Sequence, residues 1–379
     1  MLNKSTIIFV TNSEEKYVAE TLKKILDKNV SVVTAVVPQE KLESKSKKRL
    51  AKLLDPKERT FAYRVKTLVL KLFPEKKRKQ IIKKIYETLD EKKVVNMCLR
   101  FSPNAVVVDT PANLQGVLNA VSKVGMDIKV MVATNDITID EGLINDRVSA
   151  YFVDNIDMRN ALIRKSVLAD RIEVNPLPVG EEYFSARDEG ADREKFGFSS
   201  TSRVIAVKPS VPGEEANELV DYLKVHETEF EYAFICETNR QLYEYASEKG
   251  FAVFNECVDM PALISASEAV ICRPDSVFMK ECAAMKKIVV SINASSKAEK
   301  SNVEYLTADS RIIYADTLSK LGEIIDRIEA YTISMKGEAK PDTALENDEN
   351  YDFETVITPD FTDPDSGKHI VSAMIERIG

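Results

Sequence analysis

The stretch Ala269–Ile292, AVICRPDSVFMKECAAMKKIVVSI, decides the fold. Ala269–Cys272 is a short apolar run bounded by a turn, which predicts a buried strand, and Ile288–Ile292 predicts a second one. Between them lie a tight polar turn, Arg273–Ser276, and a predicted helix over Val277–Met285. Pro274 ends the strand, and Asp275 and Ser276 are both good N-cap types that open the helix. Strand, turn, helix and second buried strand make half of a doubly wound α/β domain. In such domains ligands collect at the strand-to-helix turn, toward which backbone N–H groups and the helix dipole point.

The same grammar recurs on both sides. Ser5–Val10 reads as a strand, Thr11–Ser13 as a turn, Glu14–Asp27 as a helix with Val18, Leu22, Ile25 and Leu26 in helical period, and Val30–Val37 as the next strand. Ala105–Thr110, Ile128–Thr134 and Ser149–Val153 read as further parallel strands. Polar residues at their carboxyl ends, Thr110-Pro111 and Thr134-Asn135-Asp136, fall where functional side chains of α/β folds gather. A second series starts with Arg203–Lys208, followed by a turn Pro209–Gly213, a helix Glu214–Val225, a strand Glu231–Cys236 and a helix Leu242–Lys249. Asp259 is placed to cap a helix over Ala262–Ala266, and Thr317–Tyr331 and Asp365–Ile378 read as amphipathic helices.

A chain of 379 residues has room for two domains of ordinary size. Its 44% apolar and 30% charged residues are those of a globular protein. The five cysteines, Cys98, Cys236, Cys257, Cys272 and Cys282, show no CxxC pairing, and four lie in apolar runs, which predicts buried free thiols. A strand starts almost at once, so no signal peptide is visible, and no apolar run approaches the ~18 residues of a membrane span. These features lead to the expectation of a cytoplasmic protein.

The net charge of −8 is unevenly distributed. Lys41–Lys93 holds 19 Lys/Arg against 7 Asp/Glu, whereas Glu338–Asp365 holds ten acids and one lysine. The basic insertion carries Phe61, Val65, Leu68, Val69 and Leu72 in helical period, flanked by Arg64 and Lys71, and then Lys76, Lys77, Arg78 and Lys79. These six basic residues form a candidate docking surface for anionic lipid, on the inner face of the cell membrane. The other reading of the insertion is two solvated helices packed on their own domain. Nucleic acid is the weaker partner, because aromatics are sparse there and the rest of the chain is acidic. The acidic stretch 337–364 lacks helical period and reads as a loop.

The central stretch resembles the nucleotide-binding segment of the two-domain UDP-sugar glycosyltransferases, the family of the peptidoglycan N-acetylglucosaminyltransferase and the diacylglycerol glycosyltransferases. Against C-R-S-G-A-L-T-x-x-E-x-A-A-x-G, this chain has Cys272, Arg273, Pro274, Asp275, Ser276, Val277 and Phe278, then Glu281, Ala283 and Ala284. Asp275 stands in place of a glycine and Phe278 in place of a threonine. Further partial matches are Ala133–Asp136, the segment Ile172–Phe184, and Val258–Ala266. The glycine-glycine-serine turn of the family corresponds to Lys208, Pro209 and Ser210, and its first-domain histidine has no counterpart, the chain's two histidines being His226 and His369.

The resemblance implies an α/β fold of two Rossmann-like domains facing a cleft, the GT-B type. Residues 1–178, with the basic insertion 41–93, would form an acceptor- and membrane-facing domain. Residues 179–360 would form the nucleotide-sugar domain, and 361–379 a terminal helix returning to the first. It also implies a hexose moved from a nucleotide-sugar to a lipid or lipid-linked acceptor, with no cofactor and no metal. Lys208, Ser210, Arg273, Asp275 and Ser276 would lie at the diphosphate, Glu281 at the ribose, and Glu299 and Asn302, in a polar loop after Ile292, at the sugar. Asp136 or Glu14 would take the acceptor proton, although Asp136 is equally placed to cap its own turn. Two other readings stay open. One is a non-catalytic relative acting as a membrane-associated partner or sensor, suggested by the loss of turn glycines in a chain with 12 Gly. The other is a UDP-sugar epimerase, which the scarcity of histidine disfavours.

Overall fold

The structure, a computed structural model, describes residues 5–11, 17–29, 31–43, 74, 89–134, 136–176, 178–210, 213–255, 258–294, 297–308, 312–335 and 362–378. The chain divides into two compact units, Met1–Pro178 with Asp365–Gly379, and Val179–Pro364.

The first unit contains β1 (Ser5–Thr11), α1 (Tyr17–Leu26), β2 (Val32–Pro38), α2 (Gln39–Leu42), α3 (Glu91–Phe101), β3 (Ala105–Val108), α4 (Pro111–Val124), β4 (Lys129–Ala133), β5 (Ala150–Val153), α5 (Ile156–Arg164) and β6 (Ile172–Val174). Its six strands are all parallel, in the order β2-β1-β3-β4-β5-β6. Parallel strands are covered on both faces, and this is why they read as unbroken apolar runs such as IIFV and AVVV. Ile7, Ile8, Val106 and Val132 are sealed from solvent. The order reverses direction between β1 and β3, where Val10 pairs with Val108. Helix starts follow side-chain capping rules: Asp90 caps α3, Asn155 caps α5, and Thr110 caps α4 ahead of a proline at its first turn.

The second unit contains α6 (Glu189–Lys195), β7 (Arg203–Lys208), α7 (Gly213–Val225), β8 (Phe230–Glu237), α8 (Arg240–Glu248), β9 (Ala252–Asn255), α9 (Met260–Ala266), β10 (Ala269–Cys272), α10 (Ser276–Ala284), β11 (Ile288–Ile292), α11 (Lys297–Ala308), β12 (Ile313–Ala315) and α12 (Leu318–Met335). This sheet is also parallel throughout, ordered β12-β11-β10-β7-β8-β9, and reverses between β7 and β10. Val207, Phe234, Ile271 and Val290 on the strands meet Leu219, Val220, Ile324 and Ile328 on the helices in one core. Burying each such side chain stabilises the unit by about 1.5–3 kcal/mol.

The last helix, α13 (Ser366–Ile378), packs on α1 of the first unit. Ser366 Oγ donates to the Pro176 carbonyl, and Arg377 Nη2 pairs with Glu173 at 2.6 Å. The approach is close enough that a Cβ on Gly367 would lie 2.5 Å from Ile25 Cδ1.

One element differs from the sequence expectation. The stretch after Ile292, read as a polar loop, forms the helix α11. Its polar surface hides two inward positions one turn apart, Asn302 and Leu306, both buried. The helices α2, α3, α4 and α6 and the short strands β6, β9 and β12 were not foreseen either. The edge strands β9 and β12 have few residues and leave several of them half-buried, which weakens their apolar signature. Cys98, Cys236, Cys272 and Cys282 are buried free thiols, while Cys257 lies outside the described residues.

Candidate functional site

In the second unit the reversal between β7 and β10 leaves a crevice beyond the carboxyl ends of these strands, the general ligand position of open α/β sheets. Lys208, the last residue of β7, pairs in register with Cys272, the last of β10. The Lys208 ammonium is 3.1 Å from Glu237 Oε1, at the end of β8, and 3.9 Å from Asp275 Oδ2. It also sits 4.5 Å from the centre of the Phe278 ring. Burial works to lower its pKa, but the carboxylates of Asp275 and Glu237 outweigh burial and hold it above the ordinary lysine value.

The turn after β7 bends through Ser210, whose φ of 44° lies in the left-handed region that glycine enters more easily. Arg273 Nη1 donates to the Ser210 carbonyl at 3.0 Å, tying the two switch-point turns together. The other end of the guanidinium meets Glu299 of α11, at 2.5 Å to Oε1 and 2.7 Å to Oε2. Asn302, one turn along α11, donates through Nδ2 to the Pro274 carbonyl at 3.1 Å. Its Oδ1 is buried and accepts no hydrogen bond among the described residues.

Asp275 is the N-cap of α10. Its Oδ1 accepts from the backbone N–H of Val277 at 3.0 Å and of Phe278 at 3.2 Å. Ser276 opens the helix, and Glu281 lies further along it, 6% exposed. Direct contacts thus pair Lys208 with Asp275 and Arg273 with Ser210 and Glu299, and Asn302 holds the turn between them through the Pro274 carbonyl. Glu237 belongs with them and was missed. Its signal was position alone: a carboxylate closing a strand next to the switch point.

In the first unit, Asp136 follows β4, is half-buried, and its backbone N–H donates to Thr134 Oγ1 at 3.1 Å. Glu14 lies outside the described residues, as do Arg64, Lys71, Lys76, Lys77, Arg78 and Lys79. A second carboxylate, not anticipated, stands at the switch point itself. Asp109 follows β3 directly, and Thr11, at the end of β1, donates its hydroxyl to Asp109 Oδ2. Asn113 Nδ2 donates to Asp109 Oδ1 at 3.1 Å and to the Val10 carbonyl at 3.3 Å. Two donors from different elements thus orient one carboxylate beside the amino end of α4. The clue in the sequence was the acid that closes AVVVDT.

Among the described residues no group of His, Cys, Asp and Glu is arranged to hold a metal ion, and no helix is long and apolar enough to cross a membrane.

No protein-family model matches the chain. It is 17% identical over 243 residues to the processive diacylglycerol beta-glucosyltransferase of Staphylococcus carnosus, a match covering 62% of each chain. The chain thus spans less than two thirds of the length of that relative. Among solved structures it is similar to the UDP-GlcNAc 2-epimerase of Neisseria meningitidis bound to UDP-GlcNAc. The TM-score is 0.63 and the identity 13%, covering 98% of this chain and 100% of the other. It is also similar to MurG of Acinetobacter baumannii, with a TM-score of 0.59 and 11% identity over 98% and 99% of the two chains. At these identities the solved structures speak for the fold. Two all-parallel six-stranded sheets and these likenesses give the chain the fold that GT-B glycosyltransferases and UDP-GlcNAc 2-epimerases share.

Proposed function

We propose that the chain is a glycosyltransferase that moves a hexose from a nucleotide-sugar, of the UDP type, to a hydroxyl of a lipid or lipid-linked acceptor at a membrane surface. The observation that carries this reading is the convergence of two largely buried cations, Lys208 and Arg273, on the turns at the switch point of the second sheet. Buried cations at the carboxyl ends of parallel strands suit a leaving diphosphate, whose charge grows as the glycosidic bond breaks. Glu281 on α10 would hold the ribose, Ser210 and Ser276 would face the phosphates, and Glu299 and Asn302 would face the sugar. Negative charge on the departing group is then met by side chains and backbone.

The step balances simply. The acceptor oxygen forms a bond to the anomeric carbon, the bond from that carbon to the diphosphate oxygen breaks, and the nucleoside diphosphate leaves with the electron pair. The acceptor proton passes to a carboxylate of the first unit. Asp109 is the better base of the two described there, because Thr11 and Asn113 fix its orientation. Asp136 is the alternative. Membrane contact draws on the basic insertion 41–93 and on Leu99 and Phe101 of α3, which expose 56% and 42% of their surface. The S. carnosus relative, by its name, acts on diacylglycerol, which makes a diacylglycerol-type lipid the first acceptor to try.

A second reading, a non-catalytic relative that serves as a membrane-associated partner or sensor, is favoured by one specific observation. Asp275 already occupies the two N–H groups at the start of α10 that a diphosphate would use. Calorimetric titration of the full chain with UDP-glucose and UDP-N-acetylglucosamine, followed by a transfer assay on diacylglycerol vesicles, separates the two. Micromolar binding with sugar transfer supports the enzyme. Absence of both at millimolar nucleotide supports the partner.

A further inference from the structure

The turn that would take the diphosphate carries its own anion. Asp275 Oδ1 holds the N–H groups of Val277 and Phe278, and its Oδ2 lies 3.9 Å from the Lys208 ammonium. Glu237 holds the same ammonium at 3.1 Å, and Glu299 holds Arg273. Two cations therefore face three carboxylates around one turn. Glu237 and Glu299 approach the cations from β8 and α11, off to the sides. Asp275 alone sits on the helix end itself, where the phosphate nearest α10 would have to lie.

We infer that Asp275 sets the charge selectivity of this site, favouring a nucleotide-sugar over the corresponding free nucleoside diphosphate. The inference rests on the nucleotide-sugar reading above. Its chemistry is general. In a nucleotide-sugar the terminal phosphate is esterified and carries one negative charge, whereas in the free nucleoside diphosphate it carries close to two at neutral pH. A fixed carboxylate about 5 Å away in a half-hydrated site opposes each further ligand charge by roughly tenfold in affinity. The penalty therefore falls harder on the product than on the donor, and Asp275 works as a release device at the end of the reaction. The surroundings still favour a ligand. Asn302, 2% exposed and held against Pro274, leaves its Oδ1 without a hydrogen bond among the described residues, which suits a ligand hydroxyl.

The test is Asp275→Asn in the full chain, titrated calorimetrically with UDP and with UDP-glucose beside the wild type. Asparagine caps helices as well as aspartate does and keeps an oxygen for Val277 and Phe278, so the variant removes charge while preserving the fold. Unchanged hydrogen-exchange protection of α10 and β10 checks this. UDP affinity is expected to rise about 100-fold and UDP-glucose affinity about tenfold, which narrows or reverses the preference for the donor. If the wild type binds UDP-glucose and the substitution leaves the UDP to UDP-glucose ratio unchanged, the inference is overturned while the transferase reading stands. Should the variant bind UDP more tightly than UDP-glucose while the wild type transfers no sugar, the selectivity role stands and the transferase reading falls. Failure of both proteins to bind either nucleotide overturns both.

Discussion

Replacing Lys208 by methionine tests whether the switch-point turn of the second unit is held by charge. Methionine keeps an unbranched side chain of similar length and deletes the ammonium together with its contact over the Phe278 ring. Two unit charges 3.1 Å apart attract by roughly 5 kcal/mol at an effective dielectric of 20 and by roughly 1 kcal/mol in water. Glu237 and Asp275 keep 44% and 50% of their side-chain surface, which places the pairs nearer the aqueous limit. Lysine itself is 12% exposed and recovers its own desolvation when it is removed. The expected net loss is about 1–2 kcal/mol, confined to the second unit. Because a chain of two units does not unfold in one step, the assay is hydrogen exchange resolved by peptide, read on β7, β8 and β10. A double-mutant cycle with Glu237→Gln is expected to show a coupling of at least ~0.5 kcal/mol. The sign of the pH dependence follows from the raised pKa of Lys208. Its contribution is complete below the ordinary value of 10.5 and fades only as pH climbs through the higher folded value. The gap between wild type and variant should therefore stay constant across neutral pH. Equal protection in the two proteins, or a gap that opens and closes near pH 7, would refute the reasoning.

Three further outcomes are expected. Arg187 clamps Asp192 through Nε and Nη2, both at 2.8 Å, and holds its carboxyl below the usual range, so Asp192→Asn should cost about 2–3 kcal/mol. That stability is present above the ordinary 3.8 and is lost as pH falls through the lower folded value, so hydrogen-exchange protection of the second unit in the two proteins should converge in acid. Asp109→Asn should reduce kcat for sugar transfer by about 100-fold or more with KM for the nucleotide-sugar unchanged; a large loss in Asp136→Asn instead would hand the base role back to that residue. Changing Lys76, Lys77, Arg78 and Lys79 together to glutamine should lower binding to phosphatidylglycerol vesicles by several kcal/mol, at about 1 kcal/mol per basic residue near the surface, and equal co-sedimentation would remove the membrane claim.

Much of the fold was legible because buried parallel strands leave a strong mark. Runs such as AVVV, VIAV and IVV cannot be satisfied on a half-solvated surface, and polar turns fix their ends. The start of helix α10 was readable, since Asp275 and Ser276 announce it. The segments that escaped are those whose stability comes from a partner rather than from their own pattern. Lys297–Ala308 looks polar because one narrow inward face, Asn302 and Leu306, carries its packing. The site divides in the same way. Lys208, Arg273 and Asp275 were visible because the turns that hold them are local in sequence. Glu237 and the Thr11–Asp109–Asn113 group were not, because register between strands far apart in the chain brings them into place.

The substitutions at the turns also form one consistent set. Where the resembled family places glycines, this chain has Lys208, Pro209 and Asp275, and it keeps a serine at Ser210, whose φ is left-handed. Pro209 removes a donor that a phosphate could have used, and Asp275 satisfies two others from within. Each cation has a carboxylate at salt-bridge distance. Such a turn keeps its shape without a ligand, and any anion that enters must replace contacts already made rather than fill open ones. Its binding free energy is then a difference between two similar sets of charge-assisted bonds, which is small by nature. Weak nucleotide affinity is the natural consequence of this arrangement, and by itself it separates neither reading. What separates them is sugar transfer by the wild type; the response to Asp275→Asn shows something different, whether the turn still has the remaining contacts to hold a nucleotide once one anion is lifted from the helix end.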